Sequence, residues 1–189
     1  MTYILDIEDI DHMENMRLMD GLPNNEPFYV MIAGGMSAGK SFIINKFVES
    51  IDIFDIDETM EELGFRDYTS EQFSVAMDVI SEKIDIQFKE RESMIAMGTA
   101  SNPTIAIDRL FAAKMNGYQT ILVHIDTPVN QSILQNKQRL DNGQRGVKKS
   151  DEHKIERTTT GAAQTVSFLR ESALVDFFIY FNNYRVLNK

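Results

Sequence analysis

The sequence predicts a three-layer α/β fold: a five-stranded, mainly parallel sheet with helices on both faces. Three observations carry this. Five short apolar runs lie between Phe28 and Phe181, bounded by Gly, Asp or Asn as buried strands are. Between them, apolar residues recur at helical spacing behind capping signals, and strand–helix alternation of this kind builds parallel sheets. The chain also has 189 residues, 43% hydrophobic and 25% charged, the composition of a globular domain with a sizeable core.

Residues 1–27 read as an acidic leader, with Asp6, Glu8, Asp9, Asp11, Glu14, Asp20 and Glu26 against Arg17. Ile7, Ile10, Met13 and Met16 recur near helical spacing, which predicts a short docked helix. Gly21 to Asn25 reads as a loop. The domain proper is expected over 28–189. Its first strand is Phe28–Ala33, followed after Gly34-Gly35 by a helix over Ser41–Glu49 with Phe42, Ile43, Lys46 and Phe47 on one face. Ile51–Asp55 is the second strand. Thr69 with Gln72 forms a capping pair before a helix over about 70–91, whose stripe is Phe73, Ala76, Met77, Ile80, Ile84 and Phe88. Ser93–Met97 is the third strand. Asn102-Pro103 opens the next helix and Gly117 closes it. Thr120–Ile125 is the fourth strand, and Thr127-Pro128 opens a further helix by the same signals. A long helical stretch from about Asp151 is expected to break or kink at Thr158-Thr159-Thr160-Gly161 before a final strand, Asp176–Phe181.

Composition excludes several functions. No Cys means no disulfide, no thiol catalysis and no cysteine-ligated zinc. No apolar run reaches the roughly 18 residues of a membrane span. The acidic Met1–Asp11 does not read as an export signal, so a cytoplasmic protein is expected, in the host cytoplasm if viral. Net charge is −10, which opposes nucleic acid in bulk. That charge is uneven, at −14 over residues 1–100 and +4 over 101–189. The basic excess centres on Lys137, Arg139, Arg145, Lys148, Lys149, Lys154 and Arg157. His12, His124 and His153 do not cluster, which argues against a metal site built on histidine. His124, inside an apolar strand, reads as a core or sheet-end residue.

The strongest chemical signal is Gly34-Gly35-Met36-Ser37-Ala38-Gly39-Lys40-Ser41, a full match to G-x-x-x-x-G-K-[ST] between a strand and a helix. Glycines let successive N–H groups point inward at phosphate oxygens, and the following helix adds its positive end. Lys40 is expected at the β- and γ-phosphates and the Ser41 hydroxyl on Mg²⁺, with the cradle running from Gly34 to Phe42. The fold is therefore expected to be a P-loop NTPase fold. ATP or GTP is the expected ligand.

The class within P-loop proteins follows by elimination. Asn136-Lys137-Gln138-Arg139 lacks the final Asp of a guanine-reading motif. No strand ends in a clear acid of the motor ATPase kind. A small kinase acting on a hydroxyl is what remains. Ligands in open parallel sheets bind off the carboxyl ends of strands, where Phe54-Asp55-Ile56-Asp57-Glu58 lies. Asp57 is the favoured acceptor of the attacking hydroxyl's proton, or a residue that orients the substrate. Asp55 is the other candidate, in contact with substrate or with Mg²⁺. The competing reading makes Asp57, Glu58, Glu61 and Glu62 the acidic start of a helix. Thr99, at the tip of the third strand, and Arg109, in the next helix, are candidate substrate contacts, Arg109 equally a plain exposed residue.

The chain resembles the zeta-toxin-like small P-loop kinases over about residues 28–183. The likeness is carried by Ala33 to Ser41, Asp55-Ile56-Asp57, Gly98-Thr99 with Asn116-Gly117-Tyr118, Arg139 with Arg145-Gly146-Val147, and Phe181-Asn182-Asn183. The resemblance implies a phosphotransferase acting on hydroxyls of nucleotide sugars, nucleosides or nucleic acids. It makes Asp57 the catalytic carboxylate, and Arg139 and Arg145 arginines of a lid over about 137–157 that neutralise the transferred phosphoryl group. Met97 stands where zeta toxins carry an acid, and the segment between the two arginines is shorter. Phage relatives act on 5-hydroxymethyluracil in DNA or on 5′ ends of nucleic acids, and a DNA acceptor would need the basic segment 137–157. The alternatives are a nucleotide-sugar kinase and a non-catalytic nucleotide-binding module whose leader binds a partner.

Overall fold

The computed structural model describes residues 2–6, 26–47, 51–65, 69–144 and 146–183. The helix and loop expected over 7–25, and Arg145, lie outside the described residues.

The sheet has six strands: β1 (Thr2–Asp6), β2 (Phe28–Ala33), β3 (Asp52–Asp55), β4 (Met94–Gly98), β5 (Gln119–Asp126) and β6 (Phe177–Asn182). Their spatial order is β1-β6-β5-β2-β4-β3 and every neighbouring pair is parallel. Five of the six are the strands expected from sequence. The sixth, β1, comes from the start of the leader and pairs with β6 from Thr2 opposite Phe178 to Asp6 opposite Asn182. The register aligns the carboxyl ends of the central strands. Ala33 stands opposite Gly98 on one side and His124 on the other, and Asp55 stands opposite Met97. One edge of the sheet therefore presents, in a row, the ends of β3, β4 and β2.

Alternate strand residues face opposite ways, and each face has its own apolar core. Tyr29, Met31, Met94, Ala96 and Leu122 pack under α3 (Ser70–Glu90), α4 (Pro103–Met115) and α6 (His153–Leu169) through Ile80, Ile84, Phe88, Leu110, Val166 and Leu169. Val30, Ile32, Ile95, Val123 and Ile125 pack against Ile43 and Ile44 of α1 (Lys40–Phe47). Helices thus cover both faces, and α2 (Ile56–Glu62) and α5 (Val129–Asp141) complete the set.

Local signals explain most helix ends. Thr69 accepts from the Gln72 N–H at 3.2 Å, Asn102 accepts from the Thr104 N–H at 3.1 Å ahead of Pro103, and Gly117 takes φ +74. Four expectations are corrected. Helix α6 runs unbroken through Thr158–Gly161, where the Thr158 hydroxyl bonds back to the carbonyls of Lys154 and Ile155, because the segment packs against Gly35, Met36 and Ser101. Helix α5 begins at Val129, not behind a Thr127 cap, because the Thr127 hydroxyl bonds elsewhere. Phe73, 42% exposed, leaves the α3 stripe, which is Ala76, Ile80, Ile84 and Phe88. Phe42, 44% exposed, yields its inward place in α1 to Ile44. His124 is buried with its ring edge-on to Tyr180, and burial pushes its pKa down. Among the described residues no helix is long and apolar enough to cross a membrane.

Candidate active site

The phosphate-binding motif forms a loop from the end of β2 to the start of α1. Ser37 takes φ 58, a conformation uncommon outside glycine, and Ala38 N–H closes the turn on Gly35 O at 3.2 Å. The Lys40 ammonium folds back to donate to Gly34 O at 3.0 Å and Gly35 O at 2.9 Å. Burial pushes its pKa down to about 8; the Asp55 and Asp57 carboxylates pull it back up, and the Arg139 guanidinium pushes it further down. Asp55, Asp57 and Arg139 therefore all lie within electrostatic reach of the loop lysine.

The two acids have different settings. Asp55 ends β3 and caps α2, its Oδ1 accepting the Asp57 N–H at 2.7 Å. Burial pushes the Asp55 pKa up, its bond from Asp57 N–H and the Lys40 ammonium oppose that, and the charges of Asp57 and Glu58 add to it. Asp57 sits in the first turn of α2, where it is exposed. Both readings of this segment thus meet in one place: it is an acidic helix start, and it faces the phosphate loop.

Other sequence-derived candidates fall in three places. Thr99 lies at the β4 tip, its hydroxyl 2.9 Å from that of Ser101, across Ala100 at φ 51. Arg139 lies in the last turn of α5, where Asn136 holds the following segment by a pair of bonds with Val147, at 2.8 Å to its carbonyl and 2.7 Å from its N–H. Arg109 is set apart: its guanidinium lies 3.7 Å from Met77 Sδ and acts electrostatically on Tyr29, at the start of β2 and away from the loop.

A buried polar cluster behind the loop was not read from the sequence. Ala38 O accepts from Thr127 Oγ1 at 2.9 Å and from Asn183 Nδ2 at 2.9 Å, and Gln131 Nε2 donates to Asn183 Oδ1 at 3.4 Å. Carbonyl and N–H of a trans peptide point in opposite directions. Pinning Ala38 O from behind therefore turns the Gly39 N–H forward into the cradle. Thr127 and Asn183 each follow a strand's carboxyl end, which was the available signal, but nothing in the sequence links them. Asn183→Ala is expected to weaken ATP binding roughly three- to tenfold and to destabilise the fold by about 1–3 kcal/mol, because it strips bonds from a buried cluster; titration calorimetry beside thermal denaturation measures both.

Helix α6 covers the loop's other side. The Thr158 hydroxyl accepts the Met36 N–H at 3.1 Å, and Thr159 lies so close to Gly35 that a Cβ there would meet its Oγ1 at 2.1 Å and its Cα at 2.9 Å. Gly35→Ala is expected to destabilise by about 1–3 kcal/mol, as overpacking does. Adding Thr159→Ala should recover only part, because the backbone of residue 159 still crowds the new methyl; denaturant melts of the single and double variants measure this.

Mg²⁺, where bound, would be held by the hard oxygens of Ser41 and Asp55 together with phosphate oxygens, the few-ligand pattern this ion takes with nucleotides. The donors fit: Ser41 opens α1 next to Lys40, and Asp55 lies within electrostatic reach of that lysine.

Fold and loop together define a kinase-like, nucleotide-binding P-loop protein. The chain belongs to the Zeta toxin family, whose model matches residues 17–187. No curated protein sequence matches it. Among solved structures it is similar to one of the PezAT chromosomal toxin-antitoxin system of Streptococcus pneumoniae, at TM-score 0.60 and 18% identity, over 93% of this chain and 78% of that one. It is similar to a chain of the Pnkp1/Rnl/Hen1 RNA repair complex at TM-score 0.66 and 14% identity, over 79% of this chain. It spans only 48%, about half, of that chain. An AvrRxo1-ORF1:-ORF2 complex with ATP matches at TM-score 0.57 and 13% identity, over 92% of this chain and 57% of that one. At such identities the likeness is one of fold.

Proposed function

We propose that residues 28–189 form a kinase domain that transfers the γ-phosphate of ATP, or GTP, to a hydroxyl of a nucleoside, a nucleotide or a modified base of the 5-hydroxymethyluracil type in DNA. The carrying observation is the loop geometry: Lys40 is held against Gly34 O and Gly35 O, with the Asp55 and Asp57 carboxylates and the Arg139 guanidinium within electrostatic reach of its ammonium. In this reading the loop N–H groups and Lys40 hold the β- and γ-phosphates. Asp57 takes the acceptor hydroxyl's proton, the acceptor oxygen bonds to the γ-phosphorus, and the bond from that phosphorus to the bridging oxygen breaks to release the diphosphate. Arg139, with Arg145 of the segment 137–157, neutralises charge spread over the transferred group. Mg²⁺ would supply further charge neutralisation.

The test is transfer of label from γ-labelled ATP to a panel of nucleosides, nucleotides, nucleotide sugars and hydroxymethyluracil-containing DNA. Transfer that vanishes in Lys40→Ala supports the proposal. ATP binding with transfer to no acceptor supports the non-catalytic alternative. If DNA is the acceptor, its KM should rise steeply with salt, and Lys148→Glu with Lys149→Glu should mimic that rise. A flat salt profile identifies a small acceptor.

A further inference from the structure

Helix α5 is held to the molecule by polar bonds. Its buried residues are Gln131, Ser132 and Asn136, and among the described residues none of α5 belongs to either apolar core. A helix that buries no apolar stripe gains little from burial itself, so specific hydrogen bonds decide where it lies. Near its start, Gln131 Nε2 donates to Asn183 Oδ1, and Asn183 Nδ2 donates to Ala38 O of the phosphate loop. Near its end, the Asn136 amide, on a residue only 1% exposed, pairs with both backbone groups of Val147. It donates to Val147 O at 2.8 Å and accepts the Val147 N–H at 2.7 Å.

This second tie closes the segment that carries Arg139. The Arg139 carbonyl accepts the Gln144 N–H at 2.8 Å as the chain turns back after α5. Beyond Val147 the chain passes through a 3-10 turn over Lys149–Asp151 into α6, which meets the phosphate loop where Thr158 accepts the Met36 N–H. Both ends of α5 are thereby referred to the loop, the start through Asn183 and the end through Val147. Together they set the place of the last turn, and Arg139 is in that turn, within electrostatic reach of Lys40. Gly146 fits the same arrangement. A Cβ there would lie 2.8 Å from Asn136 Oδ1 and 3.0 Å from Leu140 Cγ, so the amide pairing leaves no room for a side chain.

We infer that Asn136 is a positioning residue for phosphoryl transfer: its pairing with Val147 holds the Arg139 guanidinium over the phosphate loop, and the amide acts on the rate through Arg139 alone. That role rests on the kinase reading of the loop and deepens it. The side-chain chemistry suits the task. A primary amide sets one donor beside one acceptor, the complement of the Val147 backbone pair. An aspartate would turn a carboxylate toward the Val147 carbonyl, and an apolar residue would leave both Val147 groups without these bonds. A guanidinium acts on charge that spreads over the phosphoryl group during transfer, so misplacing it shows in the rate and little in ATP affinity.

Asn136→Ala, Gly146→Ala, Arg139→Ala and the pairing of each of the first two with Arg139→Ala test this in the whole chain. The readouts are the saturated rate of transfer from γ-labelled ATP, the ATP dissociation constant and the melting temperature. The acceptor is uridine, UMP, UDP-glucose or hydroxymethyluracil-containing DNA, whichever wild type phosphorylates fastest. Asn136→Ala should lower the rate about tenfold or more while ATP affinity stays within about threefold of wild type. Gly146→Ala, which presses on the amide from the other side, should slow transfer in the same way. In the Arg139→Ala background either change should cost less than about a further twofold, because the group being positioned is gone. Full multiplication of the two effects in the double variants would make the pairing a general strut and overturn the inference. Wild-type rates in Asn136→Ala, or in Arg139→Ala, would overturn it too, and each of these results leaves the kinase reading standing. If Asn136→Ala does not fold, Gly146→Ala with and without Arg139→Ala decides by the same criterion. ATP binding that Lys40→Ala does not weaken, or Lys40-dependent binding with transfer to none of the four acceptors, would overturn the kinase reading and the inference with it.

Discussion

Lys40→Met is expected to abolish ATP binding while leaving the ligand-free protein about as stable as wild type. The two effects come from one ammonium. Burial holds its pKa at about 8 against an ordinary value of 10.5, which corresponds to a penalty of about 3 kcal/mol for keeping it charged in the folded chain. Its bonds to Gly34 O and Gly35 O, charge-assisted and worth roughly 1.5–3 kcal/mol each before entropy, offset that penalty. Removing the charge removes both terms, so thermal stability near pH 7 should change by no more than about 1–2 kcal/mol. ATP loses its main cationic partner and should bind at least about a hundredfold more weakly. The sign of the pH effect follows. The folded pKa lies below the unfolded one, so between about pH 8 and 10.5 the unfolded chain binds more protons, and this residue's contribution to stability rises with pH across that window. Phosphate oxygens favour the ammonium, so binding ATP at pH 8 should take up about half a proton. Calorimetry in two buffers of different ionisation enthalpy measures that uptake, which should fade below about pH 7. An equal binding heat in both buffers at pH 8 would mean that Lys40 is fully charged before ATP arrives. A melting temperature that collapses in Lys40→Met would make the lysine a structural strut.

The sheet and loop were legible in the sequence because their signals are local. Val30 to Ala33 is apolar without interruption and stops at Gly34-Gly35; Thr69 and Gln72, and Asn102 and Pro103, are cap partners within three residues of each other. What was not legible depends on partners far apart in the chain. Strand β1 is five residues in an acidic leader, and its reason to be extended is β6, more than 170 residues away. Thr127 looked like a cap because its neighbour is Pro128; only the fold brings Ala38 O to its hydroxyl. The run Thr158–Gly161 has poor helix propensity, so it read as a break. Packing against Met36, Gly35 and Ser101 outweighs propensity, and the residues that weaken an isolated helix are those that fit against the loop. Arg109, read equally as a substrate contact or a plain exposed residue, sits on α4 with its guanidinium beside Met77 Sδ, a neighbour 32 residues away that no local signal announces.

Asp57→Asn is expected to lower the rate of phosphoryl transfer about 10²- to 10⁴-fold while leaving ATP affinity nearly unchanged, the signature of a lost general base. Asp55→Asn should behave differently, because the two carboxylates have different duties. One oxygen of Asp55 is committed to the Asp57 N–H, and asparagine caps a helix start about as well as aspartate, so α2 should survive that change. Burial pushes the Asp55 pKa up, and a bound Mg²⁺ would hold that carboxylate in its ionised form. Its loss should appear as a raised Mg²⁺ requirement, with much of the rate restored at saturating metal. Single-turnover rates for both variants across a magnesium series separate the roles. If Asp55→Asn fails at every metal concentration while Asp57→Asn keeps wild-type rates, the assignment is reversed, and the carboxylate that caps the helix is also the one that takes the proton. If neither variant slows transfer, the acceptor hydroxyl loses its proton without either residue, and charge stabilisation by Lys40 and Arg139 must account for the rate.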